Sequence, residues 1–292
     1  MNAQSAPASR LRELVGRPGT VVAPGVYDGM TAALVRDAGF EVAYMSGAAV
    51  AASAVGLPDI GLATQSELVA QAVVINRQLR IPLIADADTG FGDITNAVRT
   101  VQEYERAGVA AIQLEDQEFP KRCGHLDQKR VVDSGEFADK IRACVENRIG
   151  GTLIVARTDA RATDGIDEAI RRAQRYVEAG ADLIFVEAPQ TVEEIALIPA
   201  NVGAPTVFNL VPSGKTPPVH LEQLQDWGYR VIIAPAACLA PAVTAARAAL
   251  RQLRDGDLST IGQNSPVEVF QPLGLDEWQR LQRFSSMEGS SA

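Results

Sequence analysis

Three cysteines in 292 residues, Cys123, Cys144 and Cys238, are too few and too scattered for a disulfide framework. They suit a reducing compartment, and the cytoplasm is the expected location. No apolar run is long enough to cross a bilayer, and the first fifteen residues lack the uninterrupted apolar core of a signal peptide. Positive charge is in deficit, with a formal net charge of −9. This removes any general attraction for nucleic acid or an anionic membrane. An anionic small molecule could still bind, but only through a local basic cluster or a metal. What is present is an ordinary globular composition, 47% hydrophobic and 22% charged. The length suits two small domains or one large α/β barrel.

One pattern recurs along the chain. An amphipathic helix ends at Ala-Gly or a close variant, a short apolar strand follows, and a polar residue closes it. Arg106-Ala107-Gly108 leads to Ala110–Leu114 and then Glu115; Glu178-Ala179-Gly180 leads to Leu183–Val186 and then Glu187. The glycine stands at the helix C-cap. The uninterrupted apolar runs are those of parallel strands covered on both faces. Strands are expected near 20–24, 42–45, 82–86, 111–115, 153–157, 183–187, 205–209 and 230–234. Helical periodicity fills the gaps, most clearly at 65–79, 94–107, 134–148, 166–179 and 191–200. Eight strand–helix units imply an α/β fold of the (β/α)8, or TIM-barrel, type. No Gly-x-Gly-x-x-Gly turn follows the first strand, which counts against a doubly wound sheet. The whole of 1–292 reads as one barrel domain. Residues 255–292 form a C-terminal helical extension in which Leu275, Trp278, Leu281 and Phe284 recur about every three positions. That apolar face needs a cover, expected from a neighbouring subunit.

In such a barrel the C-terminal strand ends converge on one mouth. They carry Ser46, Asp86, Asp88, Glu115, Arg157, Asp159, Glu187 and Asn209. Asp86 and Asp88 with Glu115 make an all-oxygen cluster suited to Mg2+ or Mn2+; the alternative is that Asp88 caps the following helix. Arg157 offers a planar fork for a carboxylate, or an ion pair with Asp159 or Glu187, and the two roles can coexist. Cys144 reads as a core hydrophobe, Cys238 as packing and His220 as a surface residue. Lys121-Arg122-Cys123-Gly124-His125 differs: it sets a thiol between two cations and an imidazole, surroundings that lower a thiol pKa.

These residues together resemble the isocitrate lyase/phosphoenolpyruvate mutase superfamily. The resemblance covers roughly 10–255 and the terminal helix. It rests on Pro24-Gly25-Val26-Tyr27-Asp28, Tyr44-Met45-Ser46-Gly47-Ala48, Asp86 to Gly92, Glu115-Asp116-Gln117, the Lys121–His125 loop, Ala156-Arg157-Thr158-Asp159, Glu187-Ala188 and Asn209. The Cys-Gly-His loop marks the carbon–carbon lyases of that superfamily. The resemblance implies a modified barrel that exchanges its C-terminal helix within a homotetramer, a dimer of dimers. It implies Mg2+ held by Asp86 and Asp88 with support from Glu115, and a small dicarboxylate substrate. Tyr44, Ser46, Gly47, Ala48, Asp59, Gly124, Arg157, Glu187 and Asn209 fall at substrate-binding positions. Lys121, Arg122, Cys123, His125 and Glu115 fall at catalytic ones.

One departure narrows the substrate. Methylisocitrate lyases carry an arginine shortly after the last strand, for the third carboxylate of their substrate. Here that segment is Pro235-Ala236-Ala237-Cys238-Leu239-Ala240-Pro241. The stretch Asn209–Pro217 also resembles the dimethylmalate lyase, petal death protein and oxaloacetate hydrolase branch. The expected reaction is cleavage of a 2-alkylmalate such as 2,3-dimethylmalate to pyruvate, or another α-keto acid, and a carboxylic acid. In it, Lys121, Arg122 and His125 stabilise the departing enolate and Cys123 supplies its proton. The base is a metal-linked carboxylate or Tyr44. Methylisocitrate lyase and oxaloacetate hydrolase are alternatives within the superfamily, and a phosphonate-handling mutase or hydrolase is another, against which the intact cysteine loop argues. A non-catalytic dicarboxylate-binding protein is the alternative outside it.

Overall fold

The computed structural model describes residues 6–212, 214–257, 259 and 264–287, with backbone alone for 284–287. A short helix, α1 (Pro7–Gly16), precedes eight strands: β1 (Val21–Val26), β2 (Ala43–Met45), β3 (Leu83–Asp86), β4 (Ala111–Glu115), β5 (Leu153–Thr158), β6 (Leu183–Val186), β7 (Thr206–Asn209) and β8 (Val231–Ala234). Every neighbouring pair is parallel and in chain order, and β8 returns to β1, so the sheet closes into a (β/α)8 barrel. Each expected strand lies within two residues of its expected bounds.

The helices between them are α2 (Gly29–Asp37), α3 (Gly47–Val50), α4 (Gln65–Leu79), α5 (Ile94–Arg106), α6 (Ser134–Asn147), α7 (Ile166–Glu178), α8 (Val192–Val202) and α9 (Leu221–Trp227). Their starts follow local chemistry. The Thr64 hydroxyl accepts from the Glu67 N–H while Glu67 bonds back to Thr64, a capping box that opens α4. Asp93, not Asp88, caps α5, accepting from the Ile94 N–H at 2.7 Å. Asp88 is thereby freed from the capping role.

Strand side chains alternate between two environments. Met45, Leu83, Ile112, Leu114, Ile154 and Ile184 pack outward against the helices. Val42, Tyr44, Ile84, Leu153, Val155, Leu183, Phe185, Val207 and Ile233 belong to a second cluster inside the barrel. Leu11, Leu14 and Val15 of α1 join that inner cluster and plug the N-terminal end. The guanidinium of Arg230 holds α1 in place by donating to the Val15 carbonyl at 2.8 and 3.0 Å. The inward parity continues at the other end into Ser46, Asp86, Glu115, Arg157, Glu187 and Asn209. One end of the barrel is therefore sealed with hydrocarbon and the other is lined with polar groups.

The chain continues into α10 (Leu239–Arg254), α11 (Pro266–Phe270) and α12 (Leu275–Met287). No residue of α10 is buried, and Val243, Leu250 and Leu253 are exposed. Trp278, two-thirds exposed, and Leu281 of α12 are open to solvent as well. A tether reaches the home barrel near α2, where Arg36 donates to the Pro272 carbonyl at 2.7 Å. The side chain of Phe284 and residues 258 and 260–263 of the expected extension lie outside the described residues. Cys144 is fully buried in α6, and His220 is exposed at the start of α9. Among the described residues no helix is long and apolar enough to cross a membrane.

Candidate active site

The polar end of the barrel encloses a cavity of about 210 Å3. Its polar lining comes from Tyr44, Ser46, Asp59, Asp86, Lys121, Cys123, His125, Arg157, Glu187 and Asn209, and Ala48 and Gly124 line it too. Its apolar lining comes from Ala49, Phe185, Val211, Pro235, Ala236 and Leu239. Most of the residues singled out from the sequence thus converge on one space, although they come from segments more than 160 positions apart.

Buried charge organises this space. Arg157 donates through Nε to Asp159 Oδ2 at 2.9 Å and through Nη2 to Asp159 Oδ1 at 3.0 Å, a bidentate pair. Its Nη1 lies 3.1 Å from Glu115 Oε2. The guanidinium also stacks over the Phe185 ring, 5.3 Å from the centroid. Ion pairing and cavity lining therefore coexist in Arg157. Burial alone would push the Glu187 carboxyl up, but Arg157 and His125 outweigh it and hold it below the usual carboxylate range. Burial also opposes ionisation of Asp159, where Arg157 and Lys129 win and hold it low. Glu115 goes the other way: burial raises it well above the usual range, and Arg157 and Lys121 offset only part.

The 121–125 loop closes one side. The Lys121 ammonium pairs with Asp59 and lies 2.8 Å from Asp88 Oδ1. Burial works against its charge, but Asp88, Glu115, Asp86 and Asp59 keep it protonated. His125 accepts from the Lys215 backbone N–H at Nδ1, 3.1 Å, so a neutral imidazole carries its proton on Nε2, 3.2 Å from Glu187 Oε1. Gly124 lies so close to Glu187 that a Cβ there would sit 2.5 Å from its carboxyl carbon. Gly47 is equally constrained, because a Cβ would fall 2.7 Å from Asp86 Oδ2.

Four expectations change. Burial pushes the Cys123 thiol up, and the hydrogen bond from the His125 backbone offsets only part. It is not the low-pKa thiol that its sequence neighbours suggest, because Lys121 is engaged with carboxylates and Arg122 is elsewhere. Arg122 is exposed and outside the cavity. The Gln117 amide brackets its backbone, donating to the Arg122 carbonyl at 2.8 Å and accepting from its N–H at 2.9 Å, so the side chain faces away. Tyr44 is buried, which raises its phenol well above its ordinary value, and its hydroxyl donates to Gln113 Oε1 at 3.3 Å. Burial and this bond favour it as a donor. Asp88, Glu115 and Asp159 stand behind the cavity wall, Asp88 against Lys121 and the other two against Arg157.

With this geometry in hand, the comparisons with known proteins are specific. A sequence model described as phosphoenolpyruvate phosphomutase matches residues 11–254. The chain belongs to the phosphoenolpyruvate phosphomutase family. This is the superfamily the sequence resembles, and the chain is a lyase within it. It is 47% identical to the 2,3-dimethylmalate lyase of Eubacterium barkeri over 233 residues, 80% of this chain and 81% of that one. It is 46% identical to the 2-methylisocitrate lyase of Aeropyrum pernix over 249 residues, 85% of this chain and 80% of that one. Among solved structures, oxaloacetate acetylhydrolase with 3,3-difluorooxalacetate superposes with a TM-score of 0.93, at 36% identity and covering 96% and 97% of the two chains. Phosphonopyruvate hydrolase with oxalate and Mg2+ superposes with a TM-score of 0.86, at 30% identity and covering 96% and 99%.

The residues of this family member can be tested against a divalent cation. Among the described residues no three His, Cys, Asp or Glu side chains form a ready cage. An ion that keeps several waters and shares substrate oxygens does not need one. Asp86 borders the cavity, and Glu115 Oε1 is buried with no hydrogen-bond donor, an acceptor left for a missing partner. Asp88, desolvated by burial and beside Asp86, is raised to about 6 despite Lys121. Buried carboxyls held up in this way are short of positive charge, and a hard cation fits them.

Sequence reasoning missed Gln113 and Lys129. Gln113 points inward from β4, joining the Tyr44 hydroxyl to Asp86 Oδ1 by donating to the latter at 3.3 Å. Its inward parity with Glu115 was the available signal. Lys129 had none, since its partner Asp159 is 30 positions away.

The raised carboxyls give the metal-free protein a distinctive pH response. Asp88, Glu115 and Asp116 bind protons in the folded chain where the unfolded chain has released them. Folding then takes up protons, so stability rises as the pH falls through about 6. Asp159 and Glu187 oppose this, but only below about pH 4, because they are held low. In EDTA, the melting temperature is expected to be higher at about pH 5.5 than at about pH 7.5. Excess Mg2+ should raise it most at the higher pH, where metal and protons no longer compete. A monotonic fall in melting temperature on acidification of the metal-free protein would contradict the assignment.

Proposed function

We propose that this protein is a Mg2+-dependent lyase that cleaves the C2–C3 bond of a 2-alkylmalate such as 2,3-dimethylmalate, releasing pyruvate or another α-keto acid and a carboxylic acid. The observation that carries this reading is the mixed lining of the cavity. It presents Lys121, His125 and Arg157, while the part contributed after β7 and β8 by Val211, Pro235, Ala236 and Leu239 is hydrocarbon. A dicarboxylate bearing small alkyl groups matches such a lining. The residues after β7 and β8 include no cation, so a third carboxylate placed against them would be desolvated without a partner.

Asp86 and Asp88 would hold the metal, with Glu115 supporting it; when bound, the metal supplies acidification of the C2 hydroxyl and charge stabilisation for the α-keto acid. Ser46, Gly47 and Ala48 border the α-carboxylate end, and Arg157, Glu187 and Asn209 complete the pocket. With Tyr44 held protonated, the base that takes the hydroxyl proton falls to a carboxylate of the Asp86–Asp88–Glu115 cluster. The oxygen's electron pair forms the carbonyl, and the C2–C3 pair passes to C3 as an enolate-like carboxylate. Lys121 and His125 stabilise its charge from the loop. The Cys123 thiol, kept protonated by burial, gives C3 its proton.

Supplying the purified protein and Mg2+ with 2,3-dimethylmalate, 2-methylmalate, 2-methylisocitrate and oxaloacetate tests the reading. Dimethylmalate should be turned over best, with Cys123→Ser lowering kcat by about 100- to 10,000-fold. Turnover of 2-methylisocitrate alone, or of oxaloacetate alone to oxalate, would replace the substrate assignment. Full activity of Cys123→Ser would remove the acid.

The exposed apolar residues of α10 to α12 support a homotetramer, a dimer of dimers with exchanged C-terminal helices. The three free thiols fit a cytoplasmic protein. Sedimentation should give the tetramer mass for the full chain and a smaller species after Trp278→Glu and Leu281→Glu. A monomeric full chain would contradict the exchange.

A further inference from the structure

We infer that Lys129 is the latch that holds the 121–125 loop over the cavity, a positioning residue that does not itself touch substrate. The inference rests on the reading of that loop as part of the active site.

The loop has a fixed base. The Glu118 N–H donates to the Arg130 carbonyl at 2.9 Å, the Val132 N–H to the Asp116 carbonyl at 2.9 Å, and Gln117 and Val131 form an antiparallel bridge. Lys129 lies just inside this base, on the return limb. Its side chain is 1% exposed. Its ammonium donates to the Gly124 carbonyl at 2.5 Å and to Asp159 Oδ1 at 2.8 Å. Asp159 holds Arg157 with both oxygens. One buried cation therefore joins the crown of the loop to the carboxylate that aims the substrate-facing arginine. The opposite side of Gly124 is pressed against Glu187.

A counterion for Asp159 needs no contact with the loop, yet the Lys129 ammonium also donates to the Gly124 carbonyl. Lifting the loop would strip the Lys129 ammonium of one of its two acceptors while it remains buried, and charge-assisted bonds of this kind are the strong ones. The closed state is thus favoured by the chain itself, and it is coupled to the orientation of Arg157.

The test measures alkylation of Cys123 by iodoacetamide, followed by peptide mass, in the full-length protein with Mg2+. Lys129→Met should raise the Cys123 rate at least about tenfold and lower kcat on dimethylmalate by a similar factor, with a smaller change in KM. Should that variant fail to fold around an unpaired Asp159, the double variant Lys129→Met/Asp159→Asn is compared with Asp159→Asn alone, and the same increase is expected. Unchanged alkylation in the folded variant or pair, with stability alone reduced, would make Lys129 a structural counterion and overturn the latch. Alkylation requires no turnover, so an error in the substrate assignment would leave this result readable.

Discussion

The mouth of this barrel is short of positive charge. Asp86, Asp88, Glu115, Asp159 and Glu187 are buried there beside Lys121, Lys129 and Arg157. Each cation is already committed: Lys121 to Asp59 and Asp88, Lys129 and Arg157 to Asp159, and Arg157 also to Glu115. Removing one partner from such a cluster leaves a buried unpaired charge, a loss of about 3–5 kcal/mol. The cluster is therefore rigid and poorly adapted to receive a dianion unaided. The raised carboxyls of Asp88 and Glu115 express the same deficit.

That constraint explains the division of labour around the cavity. Groups behind the wall set the charge state of the groups in it: Asp159 aims Arg157, and Asp59 and Asp88 keep Lys121 protonated. Cys123 lines the cavity among these groups, where burial preserves the thiol. A thiolate there would be a nucleophile; a thiol is a proton source. The lining contributed after β7 and β8, Val211, Pro235, Ala236 and Leu239, is hydrocarbon.

Much of this was legible in the sequence because it is local. Gly108 and Gly180 end helices just before apolar runs, and the residue closing each run lands at the mouth once strand parity is known. The cysteine loop was recognisable from five consecutive residues. What was not legible depends on pairings distant in the chain. Arg122 and Lys121 look equivalent beside Cys123, yet Gln117 turns one outward while Asp59 and Asp88 bind the other inside. The thiol pKa inferred from sequence neighbours had the wrong sign for this reason, since burial outweighs the cations that remain near. Asp159 looked like a mouth residue and proved to be the support for Arg157. Lys129 carried no local mark at all.

The central claim is that a divalent cation must relieve the carboxylate excess before a dianion can enter. Calorimetric titration of the wild-type protein with oxalate, with and without Mg2+, addresses it most directly. The account predicts saturable binding with Mg2+ and none in EDTA. Oxalate binding of equal strength in EDTA would contradict it.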